Sequence, residues 1–409
     1  MGGGLIGLVH AHEARRRGLS VVLLERDVRA IGASVRHAGH LFFSALASGD
    51  ALNSALLARK RWLDLARRAG IDMEDAGTLV VAHRREELAV MEEAAENPAR
   101  SAQVLTRAQV GKLAPIALDG VIGGLHGSRD LRIEPRAATA ALARLLMHDP
   151  NARVEWTAPV HEIESGVVHS GALQVRAQAI VVCPGAGQFS LPPSFWSSHD
   201  RELVLHRTQM LRLAAPTGRR YRPTITKGFS LLQHPGFAEQ DGAEALRARL
   251  ELEQTDLVED GIQLLVAHLP GGDLVIGEAR TEAEAPPPPF GIERLYRELL
   301  DEAEGLLGVL PEIRQRWLAT EVGVKDGDMR DFVVSAPQPG VRIVHGVSGR
   351  DLALAPVKAA RILDELLIPS TIVELENAAG PDIVVSDERG RGGLRAHADA
   401  FRVRRVTPT

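Results

Sequence analysis

The chain opens on a glycine pattern that leaves few folds open. Gly2, Gly4 and Gly7 form a G-x-G-x-x-G. Leu5 to Arg17 follows without proline or internal glycine, and Gly18 ends that stretch. Val21 to Leu24 is then a short apolar run closed by Glu25, twenty-three residues after Gly2. The first stretch reads as a helix and the second as a buried parallel strand. Each part has a task in a nucleotide site. Gly2 permits a tight turn, Gly4 leaves room for a pyrophosphate against the backbone, and Gly7 lets helix and sheet pack closely. The free N–H groups and positive dipole end of the helix attract phosphate, and Glu25 can accept from ribose hydroxyls.

A glycine pattern alone is weak evidence. Here helix, strand and acid all arrive at the spacing that a nucleotide site needs. Such a fingerprint ordinarily follows a strand, and nothing precedes Met1 in this sequence. The expectation is a sheet short of its first strand and a start placed too late, with stability and cofactor retention both reduced.

Composition narrows the class. A chain of 409 residues can build two or more cores, and 45% hydrophobic with 25% charged residues is ordinary for a globular protein. A net charge of -5 gives no basic field for nucleic acid. Cys183 is the only cysteine, so no internal disulfide and no multi-cysteine metal site can form; a packed core thiol is the expected role. No apolar run reaches the roughly 18 residues of a membrane span, and no signal peptide is visible, which predicts a cytoplasmic location.

Along the chain, Ile31 to His40 is a small-residue loop whose Ser34 and Arg36 suit a pyrophosphate. Helices are expected over Ala51–Ala69, Glu86–Ala99, from Thr106 onward with Thr106 as N-cap, and from Pro135 to Met147. Val154–Ile163 and Val167–Val175 look like a strand pair. Ala179 to Gly187 is a buried strand ending in a glycine turn. Strand-like runs at Leu203–Leu213, Thr224–Leu232, Ile262–Leu269 and Leu274–Glu278 point to an antiparallel sheet in a second domain. Pro286–Pro289 reads as a stiff linker, Ile292–Val309 as a helix, and Arg316–Val324 and Phe332–Ser335 as strands. Val341 to Pro356 is a third strand and glycine turn, leading into a helix over Lys358–Leu367. Gly390–Thr409 reads as a poorly packed tail.

The opening fingerprint, the two later strand-and-glycine turns and the β-rich segment between them resemble the D-amino-acid oxidase, glycine oxidase and sarcosine oxidase superfamily of FAD-dependent oxidoreductases, over roughly residues 1 to 368. The resemblance implies an α/β fold. A Rossmann-like FAD-binding domain, its first strand missing, would comprise 1–76, 131–196 and 331–368. An antiparallel β-rich substrate-binding domain would comprise 77–130 and 197–330, with a C-terminal tail over 369–409. More narrowly, Gly32 to Arg36 followed by Gly39, with Gln209 to Arg212 later, resembles a bacterial subfamily linked to phosphonate catabolism. Its proposed role is oxidation of an aminophosphonate related to 2-aminoethylphosphonate.

The same resemblance implies site residues. Gly2, Gly4 and Gly7 would hold the FAD pyrophosphate, Glu25 the ribose, and Arg26 would lie near the adenine. Ala33, Ser34 and Arg36 would cover the pyrophosphate, with His37 and Gly39 near the flavin. Val160 would sit by the adenine and Gly185 by the cofactor turn. Gly346, Gly349, Arg350, Asp351 and Leu352 would approach the ribityl chain and the ring. His37 and His345 are the weak catalytic candidates. Covalent flavin at His37 is the minority reading, and both His206 and His345 read as structural before catalytic. The superfamily often carries Trp-x-Gly-x-Arg-Pro; this chain has Trp317, Ala319 and Glu321 there, so no carboxylate-binding arginine is located.

The expected reaction is hydride transfer from an amine carbon to flavin N5, then imine hydrolysis, with O2 as acceptor. A phosphonate would call for cations, and Arg207, Arg212, Lys227 and Arg330 are the candidates, with no metal expected. Two other readings stay open: a D-amino-acid, glycine or sarcosine oxidase, and a truncated nucleotide-binding protein without turnover. An NAD-dependent dehydrogenase is disfavoured, because no second nucleotide fingerprint is present.

Overall fold

The computed structural model describes residues 1–367 and 403–405, apart from 165, 192–194, 196–201, 284–287 and 326–328. A helix, Leu5–Arg16, starts directly after Gly4. The strand Val21–Leu24 follows and pairs in parallel with Ala152–Glu155. A second group sets Ile180–Val182 parallel to Val341–Gly346, with Phe332–Ser335 antiparallel at its edge. The two groups are separate sheets. Met1 and Gly2 lie between them. The Gly2 N–H donates to the Leu24 carbonyl at 2.8 Å, the amino terminus to Val181 at 2.7 Å, and the Cys183 N–H to the Met1 carbonyl at 2.9 Å. A parallel layer is therefore divided at its middle, where the fingerprint leads one to expect a strand, and two residues join its halves.

Helices cover this layer. Leu5–Arg16 packs on Pro135–Met147 and Asp351–Leu367, and the last of these packs on Asp50–Ala69. Leu5, Leu8, Leu142 and Leu146 fill the space between them. Trp62 is fully buried there and donates its indole N–H to the Leu352 carbonyl at 2.9 Å. The first helix is enclosed so fully that it buries His10, His12 and Glu13 as well. His12 Nε2 is bonded to the Leu142 carbonyl, Glu13 to Arg16 and Arg17, and His10 Nδ1 to the Ile6 carbonyl at 2.7 Å, while His10 Nε2 is buried without a partner.

Eight strands form the second body, in the spatial order Ile313–Val324, Leu203–Ala214, Asp273–Ala283, Ile262–His268, Thr224–Lys227, Thr78–Ala82, Gly123–Gly127 and Ala102–Thr106. All neighbours are antiparallel except Thr224–Lys227 with Thr78–Ala82. The sheet thus draws on two stretches of sequence, 78–127 and 203–324. Leu211, Leu264, Val266 and Ile276 pack with Leu295, Leu299 and Leu306 of the amphipathic helix Glu293–Leu307, which stops at a left-handed Gly308.

Local expectations hold in the main, with some shifts. Thr106 caps the helix Arg107–Leu113, with Gln109 completing a reciprocal capping box. The run expected as one strand over Thr224–Leu232 leaves the sheet after Lys227, where Gly228–Gln233 coils into a 3₁₀ turn. The expected strand pair over 154–175 is instead a parallel-layer strand ending at Glu155 and a separate meander, Glu162–Glu164, Val167–Ser170 and Leu173–Arg176. Val403–Arg405 adds a fourth strand to that meander, so this part of the C-terminal segment is not the unpaired tail that its composition predicts. The remainder of that tail, and Pro286 and Pro287 of the proline run, lie outside the described residues. Among the described residues no helix is long and apolar enough to cross a membrane, and no group of three His, Cys, Asp or Glu side chains could hold a metal ion.

Candidate functional site

A cavity of about 470 Å3 runs from the first turn of the parallel layer to the underside of the eight-stranded sheet. Its near end is built by glycines at points of close approach. Gly2 has a φ of +94°, and a Cβ on it would run into the Cys183 carbonyl; a Cβ on Gly7 would run into the Gly2 carbonyl. A Cβ on Gly4 would lie 2.9 Å from Ser34 Oγ. That hydroxyl accepts from the Leu5 N–H at 2.9 Å and so ties the 31–34 loop to the helix N-terminus. One Glu25 oxygen accepts from the Gly3 N–H at 2.5 Å and the other from the Asp27 N–H at 3.0 Å. The buried carboxylate braces the turn and also lines the cavity. Such a cradle of bare backbone at a helix N-terminus fits a dinucleotide's diphosphate, with Glu25 placed for a ribose.

The far end differs in character. His37, Gly346, Gly349, Asp351 and Leu352 meet Glu321 and Val322 of the eight-stranded sheet. The His37 Nδ1 accepts from the Gly39 N–H at 2.9 Å, which fixes the ring. A Cβ on Gly346 would overlap the Asp351 carboxylate, so the glycine makes room for that acid. Burial pushes Asp351 up to about 6, with the His37 charge opposing and Asp331 and Glu321 adding to it. Burial, reinforced by Glu321 and opposed by Arg280, pushes Glu278 up to about 7. His40, stacked on Phe42, is driven down to about 3 by burial, then by the charges of His37 and Arg132. Of these three groups only Asp351 lines the cavity.

Most residues expected from the sequence to touch the cofactor line this cavity: Gly2, Gly4, Gly7, Glu25, Arg26, Ala33, Ser34, His37, Val160, Gly185, Gly346, Gly349, Asp351 and Leu352. Arg36, Gly39 and Arg350 do not. Arg36 is exposed and donates to the Leu318 carbonyl at 3.0 Å. Gly39 turns the chain against the Ile133 carbonyl at a φ of +76°. Arg350 is buried and braces the far end from behind, donating to the carbonyls of Gln233 and Met329 and pairing with Asp331. His345 is buried within its strand, away from the cavity wall. Burial raises the Cys183 thiol to about 11, so it stays protonated.

The four cations expected to bind a phosphonate are engaged elsewhere and none lines the cavity. Arg207 donates to the carbonyls of Pro288 and Phe290. Arg212 pairs with Asp273 at 2.7 Å, Lys227 with Glu302 at 2.5 Å, and Arg330 with Glu202 at 2.5 Å. Sequence reading missed Glu321, which lines the cavity. The one signal for it was the Trp317-to-Glu321 stretch, where an acid stands in place of the expected arginine.

A family model described as FAD dependent oxidoreductase (DAO) matches residues 1–366. No curated protein matches the sequence. Among solved structures, glycine oxidase from Bacillus cereus ATCC 14579 is similar, with a TM-score of 0.69 at 17% identity over 89% of this chain and 95% of that one. L-proline dehydrogenase from P. horikoshii gives 0.72 at 15% identity over 90% and 91%. L-alpha-glycerophosphate oxidase from Mycoplasma pneumoniae, with FAD bound, gives 0.65 at 16% identity over 90% and 93%. At such identities the likeness is one of fold, and the three names differ in substrate.

Proposed function

The chain belongs to the FAD-dependent oxidoreductase family, and from that premise we propose that it oxidises the C–N bond of a small amine. The observation that carries this reading is the single cavity that joins the diphosphate cradle at Gly2, Gly4 and Gly7 to a far end walled by His37, Asp351 and Glu321. When bound, FAD would supply the hydride acceptor there, with O2 as the terminal oxidant. The protein's part is to bind, orient and desolvate. The helix N-terminus and the Ser34 loop hold the diphosphate end. Glu25 orients the ribose. Asp351, set at the start of the Asp351–Leu367 helix and lining the cavity, positions the ring end. The eight-stranded sheet covers the far end and excludes water from the reacting carbon.

An aminophosphonate is the narrower reading. It rests on the sequence resemblance. A glycine- or sarcosine-like substrate is the alternative. The test is anaerobic mixing of the FAD-loaded protein with 2-aminoethylphosphonate, simple primary and secondary amines, glycine, sarcosine and D-alanine. Bleaching of the oxidised flavin band by amines supports the proposal, and bleaching by none of the panel contradicts it. Bleaching by the aminophosphonate alone would select that substrate.

A further inference from the structure

A second cavity, of about 270 Å3, lies against the three-stranded sheet of His40–Leu41, Leu131–Ile133 and Met73–Glu74, and shares no lining residue with the cofactor cavity. Strand register sets one wall. Arg132, on the middle strand, stands directly opposite Glu74, and antiparallel partners point to the same face. Asp72 and Glu134, two residues away from Glu74 and Arg132 along their own strands, line the same wall. The other wall comes from Arg219 to Tyr221 and from His268, which ends the strand Ile262–His268. The Tyr221 N–H donates to His268 Nδ1 at 3.3 Å and ties the two parts of that wall together.

The central charges of this cavity are unpaired. Arg132 is only 6% exposed, yet its guanidinium has no hydrogen bond or ion pair with any described residue. Glu74, opposite it, has none either. Their neighbours are occupied: the two Glu134 oxygens accept from Arg136 and from the Ala137 N–H, and Arg219 donates to the Leu307 carbonyl. Burial disfavours the Arg132 charge, and Glu74, Glu134 and Asp72 oppose that effect. A buried charge ordinarily lies against a counter-charge, and water can fill the space but neutralises neither group. Three arginines, Arg132, Arg219 and Arg220, are matched on the walls by Asp72, Glu74 and Glu134. A simple anion would therefore leave Glu74 unanswered, and a simple cation would leave Arg132 so. We propose that this cavity is a second binding site, for a small zwitterion whose carboxylate lies on Arg132 and whose ammonium lies on Glu74. The inference goes beyond the amine-oxidase reading and does not rest on it. The Cβ atoms of directly opposed residues are about 5 Å apart, so the two ligand charges are close together, as in an α-amino acid. A volume of about 270 Å3 agrees with so small a ligand, because sites for drug-sized molecules begin at roughly 300 Å3. The planar guanidinium offers the carboxylate two parallel hydrogen bonds.

The test uses three compounds of one shape: 2-aminoisobutyrate, pivalate, which lacks the ammonium, and tert-butylammonium, which lacks the carboxylate. The two amines have no hydrogen on the carbon bearing nitrogen, so neither can be oxidised there. Binding to the FAD-loaded protein at pH 7 is measured by calorimetry, with the flavin spectrum recorded alongside. The site predicts that 2-aminoisobutyrate binds about 10-fold or more tightly than either of the others and leaves the flavin spectrum unchanged, a comparison that needs no variant. Arg132→Gln should weaken its binding by about 10- to 100-fold. Glu74→Gln, at a half-buried position, should remove the preference for 2-aminoisobutyrate over pivalate. Failure of 2-aminoisobutyrate to bind, equal binding of pivalate to the unaltered protein, or undiminished binding in Arg132→Gln would each overturn the site. Flavin reduction by amines is a separate measurement, so the loss of this site leaves the amine-oxidase reading standing, and the reverse holds too.

Discussion

Gly7 lies against the carbonyl oxygen of Gly2 so closely that a methyl group on Gly7 would overlap it. The turn that cradles the diphosphate and the start of the helix beneath it are therefore one packed unit. Gly7→Ala should separate them, and the purified variant should lose most of its bound FAD, read as the ratio of visible flavin absorbance to protein absorbance. Gly305 is the contrasting case. It lies in the helix Glu293–Leu307 with nothing within 4 Å of where a Cβ would go. Gly305→Ala should raise stability by about 1 kcal/mol, from helix propensity alone, and leave flavin content unchanged.

Ser34 offers a graded test of the same cradle. Its hydroxyl is the acceptor for the Leu5 N–H, one of the first free donors of the helix. Ser34→Ala removes that acceptor and loosens the 31–34 loop. The expected cost is about 1 kcal/mol in FAD affinity, roughly a fivefold rise in Kd, measured by flavin fluorescence titration.

Asp130 predicts a pH effect of known sign. It is fully buried and accepts from the Ser44 N–H at 2.8 Å and the Ser44 hydroxyl at 2.6 Å. Burial outweighs these bonds and pushes its carboxyl up to about 7, against an ordinary 3.8. An acid raised in the folded state favours folding when protonated. Its contribution is greatest below pH 4, is lost as pH rises towards 7, and is constant above. Asp130→Asn keeps the shape without the charge. Melting temperature against pH should therefore be flatter between pH 4 and 7 in the variant, and the variant should be the more stable protein at pH 8. The buried histidines act in the opposite sense below pH 6.5, and comparison with the variant removes their shared contribution.

Arg212 separates structural cations from substrate-binding ones. It is tied to Asp273 at 2.7 Å and does not line the cavity. Arg212→Ala should leave KM for any oxidised amine within about twofold, with stability lowered by no more than about 1 kcal/mol, as expected for a partly exposed pair. A large rise in KM for an aminophosphonate would instead place the phosphonate at this arginine.

What could be read from the sequence follows the range of the interactions. Gly2 through Glu25 is a local unit whose geometry is set by glycine sterics and helix polarity, and its residues line the cavity. Val160, Gly185 and Gly349 were placed beside it through a resemblance spanning the chain, since no local rule brings them there. The far end was not legible. Glu321 reaches the cavity through the pairing of Ile313–Val324 with Leu203–Ala214, and neither sequence spacing nor composition sets that register. The cations chosen for a phosphonate failed for the ordinary reason that arginines on a sheet find local acids and carbonyls.

The central claim is that one cavity holds the whole dinucleotide, from the glycine turn to the eight-stranded sheet. A crystal structure of the protein loaded with FAD tests it most directly. The account predicts the diphosphate against the backbone of Gly2 to Leu5, a ribose on Glu25, and the flavin ring between Gly349 and Glu321. A flavin bound elsewhere, or a ring lying away from Glu321 and Asp351, would contradict it.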